Sequence, residues 1–308
     1  MVPILDWAAF ETTPDAFAAE LGKICRETGF FLLKNHPVPA TLIDSMFAQS
    51  DTFFALPEAD KAPLSISQNP HNRGWAAQGT ERLDETSGQI DQKQAFNVGL
   101  DLAADDPRVL AGEMFRGVNI WPDLPGFRET ALRYFDAVLD LGVALHRAFA
   151  ADLSLAPDYF DGHFDASMAT LRFLTYPAAK GAPDEIGAGA HTDYGSITLL
   201  MTDGVSGLQV KPRGRDWVDV PHVAGAYVVN IGDCMMRWSN NTYISTPHRV
   251  LPPPRPRRSI AFFLDPNPDS VISALPGTGT SVYPPIKAAD YLRSRLDATY
   301  KEETHETS

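Results

Sequence analysis

From residue 169 onward the chain breaks into short apolar runs separated by Gly, Pro and Asp, and that rhythm limits its fold more than any other feature. Short runs rich in β-branched and aromatic residues, bounded by turn formers, read as strands. Eight are expected, at 170–176, 196–201, 208–211, 217–220, 226–231, 235–237, 248–251 and 259–264. Runs this short cannot carry the 3.6-residue stripe of a helical bundle. Eight of them between turns fit a double-sheet jelly roll or a barrel.

The first half reads differently. A helix is expected from Thr13, with Pro14 at its first position, an apolar stripe of Phe17, Leu21 and Ile24, and Gly29 past its end. A buried strand follows at 30–33. A second helix starts near Pro39, carries Leu42, Met46, Phe47 and Phe54, and is closed by Pro57. Residues 65–99 are polar and read as a long irregular loop, a kind of segment that often serves function. A long helix is expected at 125–150, with Leu132, Phe135, Leu139, Val143, His146 and Phe149 at helical spacing; His146 then reads as a packed core histidine. A last helix at 287–300 precedes an acidic tail. The fold class expected is mainly β with flanking helices, a jelly-roll core with the helices packed on one sheet. No repeat or linker divides the chain. Residues 1–308 read as one domain with an N-terminal region at 1–120, a core at 165–270 and a C-terminal helix and tail at 285–308.

Composition excludes some partners. With 39 acidic and 26 basic side chains the formal charge is −13, which disfavours nucleic acid and anionic membrane surfaces. No apolar run approaches the roughly 18–20 residues of a membrane span. The first residues lack a basic stretch ahead of an apolar one, so a cytoplasmic setting is expected. Cys25 and Cys234 are too few and too isolated for a zinc motif or a disulfide framework, and read as small buried hydrophobes. Oligomeric state is not legible.

One constellation carries chemistry. His191-x-Asp193 puts two side chains on the same side of an extended segment. After 54 intervening residues, enough for the chain to return, His248 opens another strand. Two imidazoles and a carboxylate hold one face of a divalent ion and leave the other open, as in non-haem Fe(II) oxygenases. His222 is a rival third ligand, placed in an exposed turn. Ligand type alone admits iron, zinc or copper, and a zinc hydrolase also keeps an open position. Several open positions, and an arginine set to grip an organic acid, favour iron. That grip is Arg257-x-Ser259, alternating onto one strand face, with Tyr176 as a further hydroxyl; Arg258 between them points away, to solvent. The expected substrate contacts are Arg73, Phe96, Asn97, Arg172, Tyr194 and Phe263, with Tyr291 as a lid from the last helix.

The stretches His191-Thr-Asp-Tyr-Gly-Ser-Ile-Thr-Leu-Leu200, Val229-Asn-Ile-Gly-Asp233, Ser245-Thr-Pro-His-Arg-Val250 and Arg257-Arg-Ser-Ile-Ala-Phe-Phe263 resemble the isopenicillin N synthase-like branch of the Fe(II)/2-oxoglutarate-dependent oxygenases. Pro3-Ile-Leu-Asp6, Gly29-Phe-Phe31 and Asn35-His36 look like that family's leading region. The resemblance spans nearly the whole chain. It implies a double-stranded β-helix core, iron on His191, Asp193 and His248, and 2-oxoglutarate on Arg257 and Ser259 with Tyr176. It also implies dioxygen as co-substrate and a small molecule hydroxylated, desaturated or cyclised while succinate and CO2 are released. Many plant members carry Asn where this chain has Leu174, so a polar contact near the keto acid is missing or comes from elsewhere. The family also holds oxidases in which Arg-x-Ser grips the substrate's own carboxylate, and ethylene-forming activities. An inactive metal-binding protein is the reading outside enzymes.

Overall fold

Side chains on successive strand residues point to opposite faces, and in this chain that alternation sorts two cores. The computed structural model describes residues 2–68, 70–84, 89–182 and 185–299. The strands of its two main sheets are β1 (Ile4–Asp6), β2 (Phe30–Lys34), β3 (Gly74–Ala76), β4 (Gln94–Gly99), β5 (Thr170–Tyr176), β6 (Ala188–His191), β7 (Ile197–Thr202), β8 (Leu208–Val210), β9 (Val218–Asp219), β10 (Tyr227–Ile231), β11 (His248–Val250) and β12 (Arg257–Leu264). A large sheet runs β1-β2-β10-β7-β12-β5-β4-β3, and a smaller one β6-β11-β8-β9. Both sheets are open, and they face each other in the jelly-roll class expected.

One face of the large sheet carries Phe31, Leu33, Phe96, Phe173, Leu199, Val229 and Phe262. The helices Pro14–Glu27, Ala40–Phe54 and Phe127–Asp152 pack on that face through residues such as Leu21, Met46, Phe135 and Phe149. The other face carries Phe30, Leu32, Ala95, Leu174, Tyr176, Val228 and Ala261, and meets Ala188, Leu208, Val210 and Val250 of the small sheet. The helices therefore cover one sheet, and the interior between the two sheets is left for a cavity.

The helix at Pro14–Glu27 stops where expected: Gly29 adopts φ +60, a left-handed conformation that Gly takes without a side-chain clash. Three expectations fail. The segment 65–99 is not one irregular loop, because β3 and β4 lie within it and extend the large sheet. The 235–237 run is not a strand but part of a helix, Asp233–Trp238, that buries Cys234, Met235 and Trp238; two apolar residues followed by an arginine fit either period. Strand β6 is a third departure, since Ala-Gly-Ala-His offers no apolar run to read. The C-terminal helix spans Ala288–Thr299; the expected tail lies outside the described residues. No helix among the described residues is long and apolar enough to cross a membrane.

Candidate active site

Antiparallel pairing of β11 with β6 sets His248 directly opposite His191. Their rings lie 4.3 Å apart, centroid to centroid. Asp193 follows two residues past His191, where the chain leaves β6. Its Oδ1 stands 3.7 Å from His191 Nε2 and 3.6 Å from His248 Nε2. The candidate ligand atoms of the three residues all lie within 4.8 Å of one another. His222, the rival ligand, is exposed and packs near Gly204, away from this cluster.

The remaining polar atoms of the triad are already engaged, and this decides what the free ones can do. His191 Nδ1 lies 2.7 Å from the carbonyl of Gly189, and His248 Nδ1 lies 3.3 Å from that of Thr246. A carbonyl only accepts, so Nδ1 donates in each ring and Nε2 is the nitrogen left for a ligand. Asp193 Oδ2 accepts from Thr198 Oγ1 at 2.5 Å and from Asn230 Nδ2 at 2.7 Å, which leaves Oδ1 uncommitted. Burial, then the neighbouring His248, pushes the pKa of His191 down to about 3, so the ring is neutral. Burial alone would raise Asp193; His248, His191, Thr198 and Asn230 together bring it below the ordinary carboxylate value. Two imidazole nitrogens and one carboxylate oxygen converge on one point, a donor set that fits a divalent ion.

The backbone around Asp193 is fixed by the helix Asp233–Trp238. The N–H groups of Asp233 and Cys234 donate to the carbonyls of Asp193 and of Tyr194 and Gly195. Gly232 makes this approach possible, since a Cβ there would lie 2.2 Å from the carbonyl oxygen of Gly195. Thr192 Oγ1 also donates to Asp233 Oδ2 at 3.0 Å. Asn230, Gly232 and Asp233 belong to the Val229–Asp233 stretch, whose pattern marks it in the sequence without disclosing these roles.

The triad opens on a cavity of about 160 Å³ between the two sheets. Arg257 and Ser259 both face it, as their alternation requires. Arg257 is 1% exposed and has no acidic partner among the described residues. Its Nη1 reaches Ser259 Oγ at 3.3 Å, its guanidinium lies 5.0 Å from the centroid of the Tyr176 ring, and its Nε is buried without a hydrogen bond. A buried cation without an anion is costly, so this site suits a bound carboxylate. Arg258 does point away, but it is not simply solvated: it pairs with Asp203 and Asp51. Leu174 turns an apolar side chain into the cavity between Tyr176 and Arg172.

The substrate-side expectations divide by strand face. Asn97, Arg172, Tyr194 and Phe263 line the cavity. Arg73 lines it too, but its Nη1 donates to the carbonyl of His71 at 3.0 Å. Phe96 does not line it: it sits on the opposite face of β4, packed on Phe53, Phe127 and Phe173. Nor does Tyr291, which lies 5.7 Å from Arg237; Leu292 and Leu296 of the same helix reach the cavity instead. Glu81, Lys93 and Asp265 also line it, and sequence reasoning misses them. Nothing in their sequence context sets them apart from surface charge.

A family profile described as non-haem dioxygenase in morphine synthesis N-terminal matches residues 2–124, and that of the 2OG-Fe(II) oxygenase superfamily matches residues 158–266. A 2-oxoglutarate-Fe(II) type oxidoreductase of Emericella nidulans is 38% identical over 316 residues, covering 97% of this chain and 90% of its own. A full-length Neurospora crassa protein, solved in complex with alpha-KG, superposes with a TM-score of 0.85 at 35% identity, over 96% of this chain and 95% of that one. The same protein with alpha-KG and thymine gives 0.85 at 34% identity, over 96% of each chain. With two profiles spanning most of its length and relatives alike from end to end, the chain belongs to the 2OG-Fe(II) oxygenase superfamily, in its isopenicillin N synthase-like branch.

Proposed function

We propose that His191 Nε2, Asp193 Oδ1 and His248 Nε2 hold Fe(II), and that Arg257 and Ser259, with Tyr176 behind them, hold the distal carboxylate of 2-oxoglutarate. The observation that carries this is the pairing of three converging ligand atoms with a buried guanidinium that has no acidic partner among the described residues, all on one cavity. Iron and the keto acid, once bound, supply the oxidising chemistry: dioxygen is consumed, 2-oxoglutarate becomes succinate and CO2, and a substrate C–H bond is oxidised. The chain's own part is to orient. Thr198 and Asn230 fix the carboxylate of Asp193, the two carbonyls fix the imidazoles, and Arg257 aims the co-substrate. Residues from 1–120, 165–270 and 285–308 all line the cavity, which supports reading 1–308 as one catalytic unit. Two buried free cysteines, Cys25 and Cys234, support a cytoplasmic setting.

The substrate end of the cavity is bounded by Asn97, Arg172, Tyr194, Phe263, Leu292 and Leu296. Arg172 lies 2.5 Å from Glu81, so its charge is matched by the protein. That favours a small, uncharged molecule with apolar faces over an anion. Heterocycles such as thymine, with which the Neurospora protein was solved, are the first to try. The test is succinate release from a panel of such compounds with Fe(II) and 2-oxoglutarate, the product masses recorded. A gain of one oxygen identifies hydroxylation, and a loss of two hydrogens identifies desaturation or ring closure. Asp193→Ala, which removes one of three ligands, should abolish release in a folded protein. Undiminished turnover without the keto acid would reject the co-substrate assignment in favour of an oxidase.

A further inference from the structure

The strand that carries His191 is an edge. Among the described residues β6 pairs only with β11 in the small sheet, and the pairing shifts register between His248 and Val250. An edge strand with one neighbour is a poor platform for a ligand that must hold its angle within narrow limits. The other side of β6 is met by the segment ahead of β4. Gln92 N–H donates to the carbonyl of Ile186 at 3.1 Å, and Asp91 Oδ1 accepts the N–H of Gly189 at 2.9 Å. The carbonyl of the same Gly189 accepts from His191 Nδ1 at 2.7 Å. Both peptide groups that flank the Gly189 Cα are thereby tied, one to Asp91 and one to the imidazole. Gly189 leaves no gap: a Cβ there would lie 2.7 Å from the Cβ of Asp84 and 2.8 Å from its backbone nitrogen.

Asp91 is 1% exposed and is itself held in place. Its Oδ2 accepts from Lys93 Nζ at 2.5 Å and from Leu83 N–H at 3.2 Å. Lys93 Nζ also lies 3.2 Å from Glu81 Oε2, and Glu81 carries Arg172 on the cavity wall. Two cations and two buried carboxylates thus cancel in charge. Such a cluster is weak evidence for stability, because apolar side chains could fill the same space. Its hydrogen bonds lead elsewhere, to the metal ligand.

We propose that Asp91, fixed by Lys93, is a positioning residue for His191: by holding Gly189 it fixes the carbonyl that orients the imidazole, from the far side of an edge strand. This rests on His191 being a metal ligand. Partners of metal ligands typically change metal affinity about 10- to 100-fold when removed.

The test uses Co(II) added to the metal-free full-length protein, followed by its visible absorption. Asp193→Ala is compared first, since loss of binding there supports the ligand set itself. Asp91→Ala should then bind Co(II) about 10- to 100-fold more weakly, with an altered spectrum. The neutral pair Asp91→Asn/Lys93→Gln keeps an acceptor for Gly189 N–H and a partner for that acceptor, and should restore affinity to within about threefold of the parent. If Asp91→Ala does not accumulate as folded protein, Asp91→Ser, too short to reach Gly189, carries the same expectation. A merely structural brace would lower the melting temperature and leave the Co(II) constant and spectrum of the folded variant unchanged; that outcome overturns the proposal. So does a neutral pair that binds as weakly as Asp91→Ala. No Co(II) binding by the parent protein would instead remove the ligand assignment beneath it.

Discussion

His146 and His248 are buried and His191 is half-buried, and the atoms around each ring decide its role. In His191 and His248 one nitrogen is committed to a carbonyl and the other is bare. In His146 both are committed: Nδ1 donates to the carbonyl of Gly142 at 2.7 Å, and Nε2 accepts from Ser196 Oγ at 2.7 Å. His146 is therefore a structural group, as its place on the helical stripe suggests. Burial pushes its pKa down to about 4. The folded protein then resists a proton that the unfolded chain accepts below its ordinary value of about 6.5. Between those two values the unfolded state binds more protons, so stability falls as pH falls from about 6.5 to about 4, and the contribution is complete above that window. A depression of this size corresponds to roughly 3 kcal/mol. Chemical denaturation of the parent and of His146→Gln at pH 7 and pH 4 checks this: the parent's advantage should shrink by about that amount at the lower pH. An advantage that is the same at both would show that the ring does not resist protonation.

Strand β4 shows what one element contributes to both layers. Its even residues Phe96 and Val98 enter the helix-facing core, and its odd residues Ala95 and Asn97 face the cavity side. Phe96→Ala should cost about 3–5 kcal/mol, because the aromatic cluster around it cannot close over the void. Asn97→Ala, which loses the hydrogen bond to Asn72, should cost only about 1 kcal/mol and alter turnover or substrate affinity. Thermal unfolding and kinetics of the two variants separate the faces; a large stability loss in both would mean that the cavity wall also serves as core. The same strand shows why part of the site is hidden in the sequence. In most strands between 170 and 264 the apolar run is plain enough to be read directly, and the His-x-Asp, His and Arg-x-Ser positions stand out by type and spacing. In β4 the cavity-facing members are Ala and Asn, so the run looks like loop and nothing in it tells which face Phe96 takes. Strand β6 is built of Ala, Gly and His and shows no pattern at all. Helix Asp233–Trp238 is hidden because its N-terminal residues serve the backbone of Asp193–Gly195, a contact that exists only once the chain has folded. Lys93, Asp91 and Glu81 look like solvated charge until tertiary structure buries them.

At the scale of the whole molecule, the cavity is assembled from chain segments far apart in sequence, and ligands that bridge them should hold the fold together. The metal triad draws on β6, β11 and the turn after β6, while the carboxylate grip sits on β12 and β5 of the opposite sheet. A metal alone therefore ties the small sheet to itself, whereas metal plus 2-oxoglutarate connects the two sheets. A ligand at 100 times its dissociation constant stabilises the native state by about 2.7 kcal/mol. At about 2.1 cal/mol/K of unfolding entropy per residue, each kcal/mol moves the melting temperature of this 308-residue chain by roughly 1.5 °C. Melting curves with Mn(II), a redox-quiet stand-in for iron, and then with Mn(II) and 2-oxoglutarate, should rise in two steps. Arg257→Ala removes the guanidinium and keeps the triad, so it should retain the first step and lose most of the second. A charge-assisted bond of roughly 1.5–3 kcal/mol predicts a co-substrate affinity about 10- to 100-fold weaker in that variant. A second step of full height in Arg257→Ala would show that the keto acid is held by other residues, and the buried guanidinium would then be left to a carboxylate borne by the substrate.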